Sequence, residues 1–212
     1  MRLSYIFGAT GACMAAMLMS SAAVAGPTLL DGSFESFNYT NGEYHYNPTG
    51  SAWTFDGGAG VTANNSAWGF PTAPDGNNVA FLQNDSSISQ MLTGLTVGKT
   101  YDLDFDIIQR PNYGVNDVNF TVGVGDTVFN ESATEASWTH YSVSFTANSA
   151  SELLSLNGTN GNGDNDAGVD NFTLSSADGA VPEPASWAMM LCGFGTVGAA
   201  MRQRQRAKVR FA

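Results

Sequence analysis

The stretch "YDLDFDI", Tyr101 to Ile107, alternates large apolar residues with acids without a break. Period two places Tyr101, Leu103, Phe105 and Ile107 on one face of a strand, and Asp102, Asp104 and Asp106 on the other. One face therefore packs on a core and the other meets water. The same alternation recurs downstream. Val118, Phe120, Val122 and Val124 interleave with Asn119, Thr121 and Gly123, and Tyr141, Val143 and Phe145 with Ser142 and Ser144. Shorter strand candidates cover residues 29–37, 52–55, 78–83, 87–92, 153–156 and 169–174. Glycine, asparagine and proline clusters separate them at residues 47–50, 71–78, 111–114 and 157–168, the last a low-complexity run expected to be a loop. No helical period and no internal repeat appears between residues 26 and 180. Many short strands with such turns predict an all-β fold, an antiparallel β-sandwich of jelly-roll type.

The two ends of the chain read differently from this body. Residues 1–25 have the layout of a secretory signal peptide: Arg2, an apolar run over 6–19, and Ala23-Val24-Ala25 before Gly26. Cys13 lacks the upstream leucine of a lipoprotein signal, since Thr10-Gly11-Ala12 precedes it. At the other end, 18 uncharged residues run from Pro184 to Met201. As a helix they span about 27 Å, the lower limit for crossing a bilayer. Arg202, Arg204, Arg206, Lys208 and Arg210 follow, five of the chain's eight basic residues. A basic cluster stays cytoplasmic, so this end reads as a membrane stop with the body outside. The expected organisation is a signal peptide at 1–25, a sandwich domain at 26–180, and a C-terminal segment at 181–210. That segment holds a transmembrane helix over 185–201 and a basic tail over 202–210.

Charge and cysteine narrow the function. The body keeps two basic residues, Lys99 and Arg110, against 18 acidic ones, a net charge of −16. Such a surface repels nucleic acid and anionic lipid and attracts cations. Both cysteines, Cys13 and Cys192, lie in the end segments, so the body has no disulfide, thiol nucleophile or thiolate metal site. His45 and His140 are the only histidines, 95 positions apart, and no G-x-S-x-G occurs. Acids are too numerous for any pair to stand out as a glycosidase couple. The body reads as non-catalytic.

Val181-Pro182-Glu183-Pro184, then Trp187-Ala188, the apolar run and the arginine cluster Arg202, Arg204 and Arg206 resemble the PEP-CTERM sorting signal in its PEPxxWA variant. The resemblance covers about 30 residues. It implies a Gram-negative exporter of polysaccharide and recognition by an exosortase-type membrane protease. The protein would be held in the inner membrane before processing, then released to the cell surface or extracellular matrix. A broader resemblance runs through "DGSFES", "WTF", "PDGNNVAFLQ", "GLTVGKTYDLDFDI", "ASWTHYSVSFTA" and "GVDNFTL". In that order these segments look like a galactose-binding-like jelly roll, as in several carbohydrate-binding modules. In "GLTVGKTYDLDFDI", Leu95 and Gly98 form a turn into the core strand.

Two candidate sites follow. Tyr44, Tyr46 and Trp68 lie in turn-rich aromatic segments and suit stacking on the apolar face of a sugar, with packing into the core as the alternative. Trp53, Phe55 and Trp138 read as core. The second site is a structural calcium ion. The galactose-binding-like resemblance implies one, and places acids at Glu35 and Asp170. Asp170 shares the parity of Phe172 and Leu174 and should point inward; an inward carboxylate needs a partner, and calcium prefers carboxylates and carbonyls. Asp164-Asn165-Asp166 with Asp170 also resembles an oxygen-rich calcium loop without the full EF-hand pattern. The Asp102, Asp104 and Asp106 face reads as solvated. Together these features predict an exported glycan-binding protein associated with exopolysaccharide. The alternatives are a calcium-stabilised matrix protein with no ligand pocket, and a glycan hydrolase or lyase.

Overall fold

A computed structural model describes residues 26–111, 118–159 and 166–177, together with 190, 191, 193–195, 197, 198, 201 and 202. Residues 25–182 form one compact unit, and the described residues of the C-terminal segment belong to a second, where they are helical.

Nine strands occur among the described residues: β1 (Tyr44–Tyr46), β2 (Thr54–Ala63), β3 (Asn78–Thr93), β4 (Thr100–Gln109), β5 (Val118–Val124), β6 (Thr127–Ala133), β7 (Thr139–Thr146), β8 (Ser151–Gly158) and β9 (Asp166–Ser176). All pairings are antiparallel, in the order β6-β5-β8-β3-β9-β4-β7, with β2 also on β3 and β1 on β2. The sandwich arises because β3 changes partner along its length. Its first half pairs with β9, from Ala80 to Gln83, and its second half with β8, from Ser86 to Thr93. Asn84, with φ of 54°, turns the strand between the halves. β2 follows it, with a register shift between Gly57 and Gly58.

The alternation at Tyr101–Ile107 behaves as the sequence predicts. Tyr101, Leu103, Phe105 and Ile107 are all buried, packed with Val143 and Phe145 of β7 and with Ile88, Leu92, Leu154, Leu156 and Val122 of the facing sheet. Leu95 is buried and Gly98 takes a left-handed φ of 81°, the turn expected before β4. Trp53 and Phe55 join the core, each ringed by Phe34.

Three expectations need correction. Residues 29–37 form no strand: Asp31 and Phe34 hold left-handed φ of 51° and 60°, and Glu35–Phe37 is a 3-10 turn. The two runs at 78–83 and 87–92 are one strand, β3. Strand β1 comes from a segment read as turn-rich and β6 from one not among the strand candidates; β5 and β6 are a hairpin whose two turn residues are Gly125 and Asp126. The signal peptide at 1–25 lies outside the described residues. So do Pro182, Glu183, Pro184, Trp187, Ala188, Arg204 and Arg206; Arg202 is helical and exposed. Among the described residues no helix is long and apolar enough to cross a membrane, and the 185–201 span falls partly outside them.

Candidate functional site

Strand β1 pairs with β2 at Tyr44↔Thr62 and Tyr46↔Gly60, which puts both tyrosines on one face. Gly60 is bare for a reason. A Cβ there would lie 2.2 Å from the His45 carbonyl oxygen and 2.4 Å from Phe81 Cζ, so only glycine lets Phe81 lie close over the strand. On that ring Trp68 stacks, with centroids 3.7 Å apart and planes 24° from parallel. Phe70 stacks beside it, and Trp138 closes the row. The segment carrying Trp68 and Phe70 thus folds over the sheet and builds a second, aromatic core.

The structure brings Tyr44, Tyr46 and Trp68 together, with ring centroids 6.2 to 6.3 Å apart. They do not form one flat platform. Tyr44 and Tyr46 are exposed, at 45% and 46%, whereas Trp68 is buried at 3%. Both faces of its indole are covered: Phe81 takes one, and the Arg110 guanidinium carbon lies 4.5 Å from the ring centroid on the other. The exposed pair meets edge to face, with planes at 83°. A cavity of about 80 Å³ opens in this corner, lined by Tyr44, Tyr46, Ala67, Trp68 and Arg110. Trp138 is also not core; it is half-buried and its indole N–H donates to the Thr72 carbonyl at 3.0 Å.

Arg110 organises the corner and was not singled out by sequence reasoning, although it is one of only two basic residues in the body. Its Nη1 donates to Asp166 Oδ2 at 2.7 Å, its Nε to the Trp68 carbonyl and its Nη2 to the Ala67 carbonyl, both at 3.2 Å. Asp166 Oδ2 therefore serves an ion pair; Asp164 and Asn165, the other members of the expected calcium loop, lie outside the described residues. Tyr46 donates its hydroxyl to Gln83 Oε1 at 2.9 Å.

The Glu35–Asp170 corner is separate. Glu35 Oε1 accepts from the backbone N–H groups of Asn77 and Asn78 at 2.7 and 2.6 Å. Gly76 sits against it at φ of 73°; a Cβ there would come 2.4 Å from Glu35 Cδ. Asp170 is fully buried, yet it does not share the side of Phe172. Val169 and Phe172 both reach the core, because Asn171 is left-handed at φ 57° and the β4–β9 register shifts between Asp104 and Asp106. That bulge leaves Asp170 on the side away from Val169, where its Oδ2 accepts the Asp75 N–H at 3.0 Å. Asp170 Oδ1 and Asn78 Oδ1 are buried with no hydrogen-bond donor. Burial pushes the Asp170 carboxyl up to about 8; the N–H groups of Asp75 and Asn171 oppose this, and the charges of Asp75 and Glu35 add to it. Asp170 Oδ1, with the charges of Glu35 and Asp75 near it, is an oxygen that a hard cation would satisfy. Among the described residues no group of three or more His, Cys, Asp or Glu side chains could hold a metal ion, so such an ion would draw on Asn78 and backbone carbonyls as well.

The acidic face of β4 is half-buried. His140 opposite it approaches Asp106 through Nδ1 at 3.1 Å and Asp104 through Nε2 at 3.6 Å.

Residues 26–175 match the family model described as HpiC1-like, HpiC1 cyclase. The chain belongs to the HpiC1-like family. A second match covers residues 180–205 and is the PEP-CTERM protein-sorting motif. No curated protein matches the chain. Among solved structures, a TmCBM61 module in complex with β-1,4-galactotriose is 18% identical, covering 70% of this chain and 97% of its own, with a TM-score of 0.48. The CBM22-1 xylan-binding domain of Paenibacillus barcinonensis Xyn10C is 18% identical over 65% and 97%, TM-score 0.44. The C-terminal family 22 carbohydrate-binding module of Clostridium thermocellum Xyn10B is 17% identical over 68% and 99%, TM-score 0.45. Identities and scores this low speak to no ligand in this HpiC1-like chain.

Proposed function

We propose that this HpiC1-like protein is exported, processed by an exosortase-type protease after transient anchoring in the inner membrane, and binds glycan at the cell surface or in the extracellular matrix. The observation that supports the glycan reading most is the pair of half-exposed tyrosines, Tyr44 and Tyr46, set around a cavity with a cation–aromatic floor. Exposed rings fixed on a strand offer apolar faces to sugar C–H groups at little entropic cost, while backbone and side-chain polar groups remain beside them for hydroxyls. A glycan array probed with the exported protein tests this. Binding that Tyr44→Ala and Tyr46→Ala abolish supports it; an array with no signal removes it. For the sorting reading, Arg202→Gln, Arg204→Gln and Arg206→Gln together should impair retention and processing. An unchanged mature mass and location would count against it.

The family match favours a second reading, turnover of the ligand, since the family is named for a cyclase. The carboxylate linked to the corner is Asp166, which Arg110 holds in an ion pair. Recovering the captured ligand separates the readings: an unchanged compound supports binding, and a ring-closed or isomerised one supports catalysis.

Calcium at Glu35, Asp170 and Asn78 is the remaining proposal. When bound, it would supply positive charge to the buried carboxyl and satisfy both donorless oxygens. Calorimetry with millimolar calcium against EDTA tests it, and a melting temperature indifferent to both would end it.

A further inference from the structure

We infer that the Tyr44–Tyr46 corner takes one terminal, uncharged sugar residue end-on, and not a polysaccharide chain laid across it; this rests on the glycan-binding reading. Ring geometry carries it. A chain lying flat needs coplanar exposed rings in a row. Here the third ring is unavailable, because Phe81 and Arg110 occupy both faces of Trp68. The two remaining rings stand at 83°, with centroids 6.3 Å apart. A polymer lying on Tyr44 would run into Tyr46, and the reverse. A single pyranose can lay its apolar face on one ring and its edge on the other.

Size agrees. The cavity is about 80 Å³, well below the roughly 300–1,000 Å³ of pockets that enclose a drug-sized ligand. Only the end of a glycan can enter it, and a second sugar residue would lie outside it.

Charge sets the class of sugar. The one guanidinium at the corner is committed to Asp166 Oδ2 and to the carbonyls of Trp68 and Ala67. It forms a neutral pair and a rigid floor, with its Nε, Nη1 and Nη2 each donating to the protein. A uronate entering here would find its carboxylate competing with Asp166, in a body carrying −16. An uncharged residue meets no such opposition.

The test titrates the full-length protein, in detergent, with methyl pyranosides of galactose, glucose, mannose and xylose, their oligomers of two to six residues, and the matching uronates. The expected result is an affinity for one methyl pyranoside within about threefold of its oligomers, and at least tenfold above its uronate. Tyr44→Ala and Tyr46→Ala should each lower that affinity roughly tenfold, as a lost apolar contact of about 1.4 kcal/mol does. Tyr44→Ile, which keeps a strand-forming apolar residue but removes the ring face, should lose affinity with an unchanged melting temperature. Affinity rising more than tenfold from monomer to tetramer, still lost in the tyrosine variants, would overturn the end-on geometry and leave glycan binding standing. A preference for the uronate would overturn the neutral class. No binding of any sugar would remove the glycan reading itself.

Discussion

Asp166 and Asp170 lie four residues apart on β9, and both carboxylates are buried, at 1% and 0% exposure. Asp166 has the Arg110 guanidinium at 2.7 Å. Asp170 has the Asp75 N–H, one oxygen with no donor, and acids as neighbours. The comparison shows how a strongly acidic body distributes scarce positive charge. Its one arginine stands at the aromatic corner, and Asp170 is left either to take a proton or to take a metal ion. Burial is the same; the partner decides the ionisation.

The largest expected effect breaks the ion-paired half. Arg110→Met leaves Asp166 buried without its cation, a change that typically costs 3–5 kcal/mol, and the melting temperature should fall by roughly 10 °C. The double variant Arg110→Met with Asp166→Leu should recover most of that loss, because neither charge is then stranded.

The unsatisfied half should respond to pH in the opposite sense from an ordinary ion-paired aspartate. Burial pushes the folded carboxyl of Asp170 up to about 8, against 3.8 for a free aspartate. In EDTA the folded state therefore holds a proton that the unfolded state has released. Stability is fully present below pH 3.8 and is lost as pH rises through 8, by up to about 4 kcal/mol between pH 5 and 8. Asp170→Asn should flatten that slope, as read from melts at pH 5, 6.5 and 8. An equal slope in both proteins would show that Asp170 does not titrate this way.

Calcium should sharpen the contrast. At a hundred times its dissociation constant it would add about 2.7 kcal/mol, with the gain absent in Asp170→Asn and unaltered in a variant of the exposed His140. The smallest effect belongs to the aromatic edge. Tyr46→Ala removes a half-exposed ring and its bond to Gln83, and should lower stability by about 1 kcal/mol while leaving the pH slope unchanged.

The fold was legible where side chains alternate. Tyr101–Ile107 shows both faces of β4 in seven letters, because an apolar and a charged residue differ in transfer energy at every step. Where the backbone departs from regularity, the pattern misled. Asp31 and Phe34 break the expected first strand by adopting left-handed φ, which no local periodicity reveals. The bulge at Asn171 turned the parity argument for Asp170: the residue is buried as expected, through a different route. At the aromatic site the sequence indicated which residues meet, since Tyr44, Tyr46 and Trp68 are neighbours in space. It did not indicate that Phe81 and Arg110 would cover Trp68, a contact between segments tens of residues apart. Arg110 itself could have been suspected, because a lone arginine amid so many acids has few reasons to be solvated. The β5–β6 hairpin was also readable, from Gly125-Asp126 between two alternating runs.

The position of β9 has a consequence for the order in which the sandwich closes. β9 lies between β3 and β4, yet it is synthesised last, just before the sorting segment. Until residues 166–176 emerge, β3 lacks its β9 partner along Ala80–Gln83 and β4 lacks it along most of its length. Under the proposed export, the chain would stay incomplete until nearly its whole length had passed. Such distant pairings make closure slow. The sheet therefore closes only once residues 166–176 are available to pair.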